Sequence, residues 1–432
     1  MFRIDVNQNP FVVRGTTHVE AVLTVTADAA VAAPGGAPVF GLLLDVSGSM
    51  KGGVLAQAKE AAKKALELLD AEASFFVVSF ATTAQAIAPL AAATPANRKA
   101  AARAIDDLHA DGGTMFSTAL AAARAECSKA PGARAHVLFL TDGKNNAEDR
   151  DSFAPELERC DGVFQADCRG VGTDWEPAQL RAIADRLLGT AKIVADASGL
   201  EADFRDSMAR ALGRGLGAAR LRLALPKSGK VRLAFVKQAT PQLLDLTPRA
   251  SEVEPQTFDF PTGAWAPGES RDFHVAFEAA AGAVGDEMML ARPSVVSGRP
   301  EQLARGRPVL AAWTESGDER SALINSHVAH YTGQVKLAHD IQQGLALRAK
   351  GDPEQATVFL GRALAAARSS GNAQAAAKLR ELVLEESDGT IKLRPNVAKA
   401  AVMDLDLASV VTSRAPARAA SGNPAVKGRD VS

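Results

Sequence analysis

Hydrophobic and polar residues follow two different patterns along this chain of 432 residues. From about residue 38 to residue 213, short unbroken apolar runs at 39–44, 75–80 and 136–140 are separated by longer stretches rich in Ala, Lys and Leu. Unbroken apolar runs are typical of strands that are buried on both faces of a sheet, and the longer stretches have the periodicity of helices. The pattern predicts an α/β domain over residues 38–213, with a doubly wound, mainly parallel sheet.

Simple alternation of apolar and polar residues, which indicates strands with one buried face, occurs on both sides of that domain. It is found at residues 2–6, 19–26, 220–225, 231–236 and 273–277. Turn residues separate the later segments, so we predict a β-sandwich over residues 216–300. Because the amino-terminal strands, residues 1–35, lack a sheet of their own, we expect them to pair with the sandwich, which makes the α/β domain an insertion in it.

The remainder of the chain is predicted to be helical and then disordered. Residues 318–390 form an α-helical carboxyl-terminal segment, with Asp352-Pro353 at the start of one helix and a break at residues 370–372. One such helical hairpin is similar to a tetratricopeptide unit, although a solenoid needs about three. Residues 413–432 are small, polar and interrupted by Pro and Gly, which is typical of a disordered tail.

Oxygen-bearing side chains follow the predicted strands of the α/β domain. Asp45, Ser47 and Ser49 come directly after the first apolar strand, Thr114 lies in a Gly-containing loop, and Asp142 follows a third strand. The carboxyl ends of parallel strands meet at one edge of a sheet, so we expect these side chains to converge. Two carboxylates, a few hydroxyls and water suit Mg²⁺, or alternatively Mn²⁺ or Ca²⁺. With only two carboxylates, such an ion stays electrophilic enough to accept another carboxylate from outside.

A simpler interpretation exists for part of this set. A single D-x-S-x-S sequence is weak, because Asp and Ser are common in loops and Ser49 could merely cap the next helix. The three-part set on alternating strands and helices is far more specific. Gly48, Gly112 and Gly113 agree with it, because loops that close on a cation need backbone freedom, although ordinary turns need it too.

The D-x-S-x-S, Thr and T-D-G elements, in this order at strand ends, resemble the metal-ion-dependent adhesion site of von Willebrand factor A (VWA) domains, whose fold is Rossmann-like. The resemblance covers residues 38–213, and the flanking parts are more loosely similar to bacterial cytosolic proteins that carry this domain inside a β-sandwich. It implies that Ser47, Ser49 and Thr114 coordinate the ion directly or nearly so. Asp45 and Asp142 would bind it directly or through water.

The function implied by this resemblance is binding rather than catalysis. A metal-dependent adaptor would capture an Asp or Glu side chain of a partner protein. Similar bacterial proteins occur with kinase and phosphatase systems of the tellurite-resistance type or with ring ATPases, so the alternative is a non-catalytic subunit of an enzyme assembly such as a chelatase. The chain has no phosphate-binding Gly-x-x-x-x-Gly-Lys-Ser/Thr loop, and neither Ser47 nor Ser49 has a base or a nucleophile elbow nearby.

Composition narrows the possible partners and location. With 49 basic and 50 acidic residues the net charge is −1, which provides no global attraction for nucleic acid or an anionic membrane. No apolar run reaches the roughly 18 residues of a membrane span. The three cysteines are sparse and odd in number, which favours a reducing compartment, so we expect a cytoplasmic protein. In related domains ligand capture can shift the last helix, here about residues 201–212, and such a switch needs two demonstrable states.

Overall fold

The computed structural model describes seven stretches of the chain. They are residues 2–28, 36–194, 197–213, 216–297, 302–386, 390–412 and 414–415. The predicted disordered tail therefore lies outside the described residues, apart from Arg414 and Ala415. Ala415 is buried, and its N–H donates a hydrogen bond to the hydroxyl of Tyr331 at 3.1 Å.

Three strands open the chain, and two of them form an antiparallel pair. They are β1 (Phe2–Asn7), β2 (Phe11–Val13) and β3 (His18–Ala27). β1 pairs with β3 over its whole length. The other partners of β2 and β3 come from the second half of the chain, as described below.

The α/β domain follows, with strands and helices in alternation. Its elements are β4 (Pro38–Asp45), α1 (Gly53–Glu67), β5 (Ser74–Phe80), β6 (Ala84–Ala92), α2 (Pro95–Asp106), α3 (Phe116–Cys127), β7 (Arg134–Thr141), α4 (Arg150–Arg159), β8 (Gln165–Val171), α5 (Pro177–Arg186), β9 (Ala191–Val194) and α6 (Leu200–Gly213). The six strands lie in the order β6-β5-β4-β7-β8-β9. All neighbours are parallel except β6, which runs antiparallel to β5 at the edge. The predicted doubly wound, mainly parallel sheet is confirmed.

Successive residues of the central strands point to opposite faces of the sheet, and both faces are covered by helices. Leu43 and Phe139 pack with α3 and α5 on one face, whereas Leu42 and Leu138 pack with α1 and α6 on the other. This double burial explains the unbroken apolar runs in the sequence. The central strands are thereby held rigidly, and their carboxyl ends form a fixed edge.

The last helix of the domain, α6, is held by a buried arginine on β8. Arg169 is fully buried and donates hydrogen bonds to the carboxylate of Asp203 and to Ser207 Oγ, the latter at 2.6 Å. At the start of α6, Glu201 pairs with Lys64 of α1 at 2.5 Å. Helix α6, which the sequence analysis considered as a switch, is therefore anchored to both the sheet and a neighbouring helix.

The β-sandwich contains nine further strands. They are β10 (Leu216–Ala224), β11 (Val231–Thr240), β12 (Leu244–Asp245), β13 (Ser251–Glu254), β14 (Thr257–Trp265), β15 (Ser270–Ala279), β16 (Glu287–Val296), β17 (Gln302–Arg305) and β18 (Val309–Thr314). One sheet has the order β1-β3-β15-β11-β12, and the other has the order β13-β14-β10-β16-β18-β2 with β17 beside β16. Since β3 pairs with β15 and β2 with β18, the predicted insertion of the α/β domain is confirmed. The sandwich continues to Thr314, beyond the predicted boundary at residue 300.

The carboxyl-terminal segment is helical, as predicted. It comprises α7 (Glu319–Ala322), α8 (Ser326–Ala349), α9 (Pro353–Ser369), α10 (Ala373–Leu382), a hairpin of β19 (Val383–Glu385) and β20 (Ile391–Leu393), and α11 (Lys399–Ala408). The Asp352 side chain caps α9 by accepting a hydrogen bond from the Gln355 N–H at 3.1 Å. α8 docks on the sandwich through Tyr331, whose hydroxyl donates to the buried carboxylate of Asp272 at 2.5 Å. The segment extends past the predicted end at residue 390, because α11 follows the hairpin.

Helix α11 joins the three parts of the molecule. Met403 and Leu407 belong to the apolar cluster of the α/β domain, whereas Leu405 packs with α8, α9 and α10. Arg181 of α5 donates to the carboxylate of Asp406 at 2.8 Å. Beyond the helix, residues 410–412 hydrogen-bond to the sandwich around residues 239–243. α11 is thus an internal bridge rather than a free end.

Candidate metal centre

The five predicted ligands lie at one edge of the α/β sheet. Asp45 is the last residue of β4, and Ser47 and Ser49 lie in the turn that follows. Asp142 comes directly after β7, and Thr114 precedes α3 by two residues. Because β4 and β7 are parallel neighbours, their carboxyl ends place the two acidic loops side by side.

Three hydroxyl groups surround the backbone of Gly143. A Cβ atom on Gly143 would lie 3.2 Å from Thr114 Oγ1, 3.3 Å from Ser49 Oγ and 4.0 Å from Ser47 Oγ. Ser47 Oγ and Ser49 Oγ are 3.1 Å apart. The three hydroxyls therefore face one small volume, which stays open because residue 143 has no side chain.

The carboxylates of Asp45 and Asp142 lie beside these hydroxyls. Asp45 is fully buried and accepts hydrogen bonds from the Ser47 N–H at 2.7 Å and from the Thr141 hydroxyl. Asp142 Oδ1 accepts a hydrogen bond from Ser49 Oγ at 2.6 Å. Burial raises the pKa of Asp45 to about 6, and it also raises the pKa of Asp142. A cation between them would stabilise the charged form of each carboxyl group.

The donor set fits a small divalent cation that prefers oxygen. Mg²⁺ binds its oxygen ligands at about 2.0–2.1 Å in octahedral geometry, so that adjacent ligands lie about 3 Å apart. The separations of 3.1 Å between Ser47 Oγ and Ser49 Oγ and 2.6 Å between Ser49 Oγ and Asp142 Oδ1 are close to that spacing. Among the described residues no cluster of three or more His, Cys, Asp or Glu could hold a metal ion. Any cation here would depend on hydroxyl ligands as well as on the two carboxylates.

The site opens to solvent beside Ser49. This residue is exposed, whereas Ser47, Thr114 and Asp142 are buried. A divalent ion needs about six ligands or more, and the protein offers five side chains, so at least one position stays available for water or an external oxygen. The exposed side is where an external ligand would enter.

The main chain ties the loops of the site to each other. The Gly48 N–H donates to the Gly112 carbonyl at 2.9 Å, and the Asp111 N–H donates to the Val46 carbonyl at 2.8 Å. Gly112 has φ +81°, a backbone conformation that favours glycine. The loop that carries Thr114 is thereby fastened to the turn after β4.

Sequence reasoning missed several polar side chains that lie around the ligands and contact the backbone of the site. Thr141 supports Asp45, and three further polar side chains, Asn145, Asn146 and Asp149, contact the backbone around Thr114 and the start of α3. The available signal was the Asn-Asn pair directly after T-D-G-K, where such residues readily accept hydrogen bonds from backbone N–H groups.

The cysteines do not form part of this site. Cys127, Cys160 and Cys168 are all unpaired and buried. Burial raises the pKa of the Cys127 and Cys160 thiols to about 12, so both remain protonated at neutral pH. All three thiols lie in the apolar core of the α/β domain.

A mainly parallel α/β domain with hydroxyls and carboxylates at the ends of its central strands is characteristic of VWA domain proteins. Residues 41–193 match the von Willebrand factor type A domain family, and the chain belongs to this family. The chain is 37% identical to a solved structure, the von Willebrand factor type A protein from Catenulispora acidiphila, with a TM-score of 0.91 over 96% of this chain and 97% of that one. The similarity therefore extends to the sandwich and the helical segment.

Two further proteins are similar to this chain in fold or over part of its length. The ArnB paralog VWA2 from Sulfolobus acidocaldarius has 12% identity and a TM-score of 0.58, covering 95% of this chain and 98% of that chain, which shows a shared fold. The Synechocystis protein sll0103, which is uncharacterized, is 32% identical over 211 residues, or 48% of this chain and 49% of that protein. The aligned region thus spans about half the length of this curated relative. None of the described helices is long and apolar enough to cross a membrane.

Proposed function

We propose that this protein is a non-catalytic adaptor that binds a divalent cation, Mg²⁺ in the first instance, and uses it to capture an Asp or Glu side chain of a partner protein. The ligands would be Asp45, Ser47, Ser49, Thr114 and Asp142. The observation that supports this most directly is the convergence of three hydroxyls over Gly143, with Asp45 bonded to the Ser47 N–H and Asp142 bonded to the Ser49 hydroxyl. Mn²⁺ and Ca²⁺ prefer the same oxygen donors and remain alternatives.

Capture of an acidic side chain follows from the charge and the openness of the centre. The protein supplies only two carboxylates and otherwise neutral hydroxyls, so its ligands carry no excess negative charge and the ion would stay electrophilic enough to bind one more anionic oxygen. The exposed position beside Ser49 gives a partner access. A carboxylate is the only common protein side chain that offers such an oxygen at neutral pH.

The proposal assigns no catalytic role to the serines of the site. The Ser47 and Ser49 hydroxyls hydrogen-bond to each other, and Ser49 Oγ donates to Asp142, whereas a hydrolase serine needs a His or Lys base. We also propose a cytoplasmic location, which is supported by the unpaired state of all three cysteines.

The test is an affinity capture from native cell extract with the full chain as bait. One sample contains Mg²⁺, a second contains a chelator, and a third uses the double variant Asp45→Ala/Ser47→Ala in Mg²⁺. A matched control is Ser128→Ala, because this hydroxyl donates to the Arg124 carbonyl at 2.7 Å on the exposed end of α3, away from the site. Calorimetric titration of the same proteins with Mg²⁺ measures the cation itself.

We expect partners that are retained in Mg²⁺ by the wild type and by Ser128→Ala, but not in chelator or by the double variant. If the captured protein is an ATPase, a kinase or a phosphatase, the adaptor acts as a non-catalytic subunit of that enzyme assembly. An identical set of partners in all four samples would contradict the proposal and shift attention to the helical segment from α7 to α11.

A further inference from the structure

We propose that Asn146 is a positioning residue that fixes Thr114 and thereby sets the preference of the metal centre for Mg²⁺ over Ca²⁺. This inference rests on the proposed function, because it concerns the same site. Asn146 is not one of the five predicted ligands. It lies four residues after Asp142, in the loop that follows β7.

Asn146 contacts both sides of the Thr114 backbone. Its side-chain Oδ1 accepts a hydrogen bond from the Thr114 N–H at 3.2 Å, and its own N–H donates to the Thr114 carbonyl at 2.8 Å. The side-chain amide also packs against Gly113, since a Cβ atom there would lie 2.4 Å from Asn146 Nδ2. The residue before Thr114 must be small for this contact to form.

Two neighbours of Asn146 hold the helix that follows Thr114. Asn145 Oδ1 accepts a hydrogen bond from the Phe116 N–H at 2.9 Å, and Asp149 accepts one from the Ser117 N–H at 2.8 Å and another from the Ser117 hydroxyl. These N–H groups belong to the first turn of α3 and have no partner within the helix. Asn145 and Asp149 therefore replace the cap that the first residues of α3 lack.

The loop after β7 thus carries one proposed ligand, Asp142, and also helps to position another, Thr114. Thr114 follows no strand, so no sheet hydrogen bond sets its distance from Asp142. Other loops hold its neighbours, since the Gly113 N–H donates to Thr82 Oγ1 at 2.9 Å and the Met115 N–H donates to the Ala81 carbonyl at 2.9 Å. Within the described part of the chain, both hydrogen bonds to the Thr114 backbone itself come from Asn146.

Cation selectivity depends on how firmly such a ligand is held. Mg²⁺ requires near-ideal octahedral geometry at about 2.0–2.1 Å, whereas Ca²⁺ accepts six to eight oxygens at roughly 2.3–2.6 Å in flexible arrangements. A Thr114 hydroxyl that is free to move by a few tenths of an ångström would still suit Ca²⁺ but would suit Mg²⁺ poorly. Removal of the Asn146 side chain should therefore weaken Mg²⁺ binding more than Ca²⁺ binding.

The test is calorimetric titration of the full chain with Mg²⁺ and, separately, with Ca²⁺. The variants are Asn146→Ala, the matched control Asn145→Ala, and Thr114→Ala, which removes the proposed ligand. Since loss of a residue that orients a ligand costs about 10- to 100-fold in metal affinity, we expect Asn146→Ala to weaken Mg²⁺ at least tenfold and Ca²⁺ by about threefold or less. Asn145→Ala removes the same kind of hydrogen bond one residue away, so the ratio of the two affinities should remain within about twofold of the wild-type ratio.

Two results would overturn the inference while leaving the metal centre intact. One is an unchanged Mg²⁺-to-Ca²⁺ ratio in Asn146→Ala, and the other is an equal change of that ratio in Asn145→Ala, which would indicate general loosening of α3. Asn146→Asp keeps the acceptor for the Thr114 N–H, so it should retain the wild-type ratio even if Asn146→Ala folds poorly. A wild-type chain that binds neither cation would instead overturn the proposed function, and the role of Asn146 with it.

Discussion

The carboxylate of Asp45, at the end of β4, accepts a hydrogen bond from the hydroxyl of Thr141, at the end of β7, across 96 residues of sequence. Thr141 Oγ1 also accepts the N–H of Gly143 at 3.1 Å. One hydroxyl therefore links the buried acid of the first loop to the glycine over which the other hydroxyls converge. The two loops behave as a single unit that is supported from the sheet below.

The buried Asp45 carboxyl predicts how stability depends on pH when no cation is bound. Its pKa is raised to about 6 in the folded protein by burial, above the ordinary value of 3.8. The folded state then binds a proton more tightly than the unfolded state, so this group adds stability as the pH falls. Between pH 7 and pH 5 it should contribute about 1 kcal/mol to the free energy of unfolding in chelator.

Urea unfolding gives the free energy of unfolding at pH 7 and pH 5 for the wild type and for Asp45→Asn. The contribution of Asp45 is the change between the two pH values in the wild type minus the change in Asp45→Asn. Asp185 is a useful control, because burial also raises its pKa to about 6 and it lies on α5, outside the ligand set. Saturating Mg²⁺ should remove the contribution of Asp45 to the pH dependence of stability. The contribution of Asp185, which is measured in the same way with Asp185→Asn, should remain. A contribution from Asp45 that persists in saturating Mg²⁺ would argue that no cation binds beside it.

Gly143→Ala should block the centre without unfolding the domain. The added methyl group would lie 3.2 Å from Thr114 Oγ1 and 3.3 Å from Ser49 Oγ, closer than most contacts of a Cβ atom. We expect Mg²⁺ affinity to fall about tenfold or more, since displaced ligands no longer meet octahedral geometry. Gly53→Ala is the matched control, because nothing lies within 4 Å of its added Cβ atom. Calorimetric titration with Mg²⁺ measures the affinity of each variant. Equal affinities for the two variants would contradict the placement of the cation in the volume beside Gly143.

The bridge formed by α11 predicts a long-range effect on α5. Met403 and Leu407 are buried in the cluster that contains Leu180 and Ile183 of α5. The double variant Met403→Ala/Leu407→Ala should cost about 2–5 kcal/mol per site if the cavities stay open, and should lower the hydrogen-exchange protection of α5 amides. A change at Leu384, which is 44% exposed, serves as the control and should leave α5 unaffected. Unchanged protection of α5 in the double variant would mean that α11 contributes little to the fold of the α/β domain.

The buried contact between Tyr331 and Asp272 predicts how firmly the helical segment is docked. Tyr331→Phe removes a hydroxyl that donates to Asp272 and accepts the N–H of Ala415. Two groups then lose a partner in a buried place, so we expect a loss of about 1–3 kcal/mol in the free energy of unfolding. Thr357→Val removes a hydroxyl that donates to the Pro353 carbonyl on an exposed face, and it should be near neutral. Equal losses in the two variants by urea unfolding would rule out a special role for the Tyr331 contact.

Much of the architecture could be predicted from the sequence because the burial of each strand determines which of its residues are apolar. The strands of the α/β sheet are covered on both faces, which produces unbroken apolar runs, and the sandwich strands have one solvated or partly solvated face, which produces alternation. The candidate ligands could be predicted because their chemistry requires particular residue types at strand ends. The side chain that positions Thr114 could not, since Asn146 acts through the backbone N–H of a residue that is 32 positions away in sequence.

Among the elements that sequence reasoning missed, β6 and α11 were missed for reasons that the structure explains. β6 is an Ala-rich edge strand with Pro89 and little full burial, so it lacks the β-branched residues and the pattern of a strand. α11 buries Met403 and Leu407 against the α/β domain but Leu405 against the other helices. A helix that packs on two sides has no single apolar stripe, and its hydrophobic periodicity is blurred.

The insertion of the α/β domain has a consequence for how a partner would meet the whole molecule. The domain is connected to the sandwich at both of its ends, and α11 adds a third attachment to the helical segment. Packed contacts therefore join the edge that carries the candidate metal centre to the helical segment, whereas a flexible linker would not. A partner bound at one of these two surfaces would be close to the other, so its second contact would form at a high effective concentration. Two weak contacts could then together give high affinity.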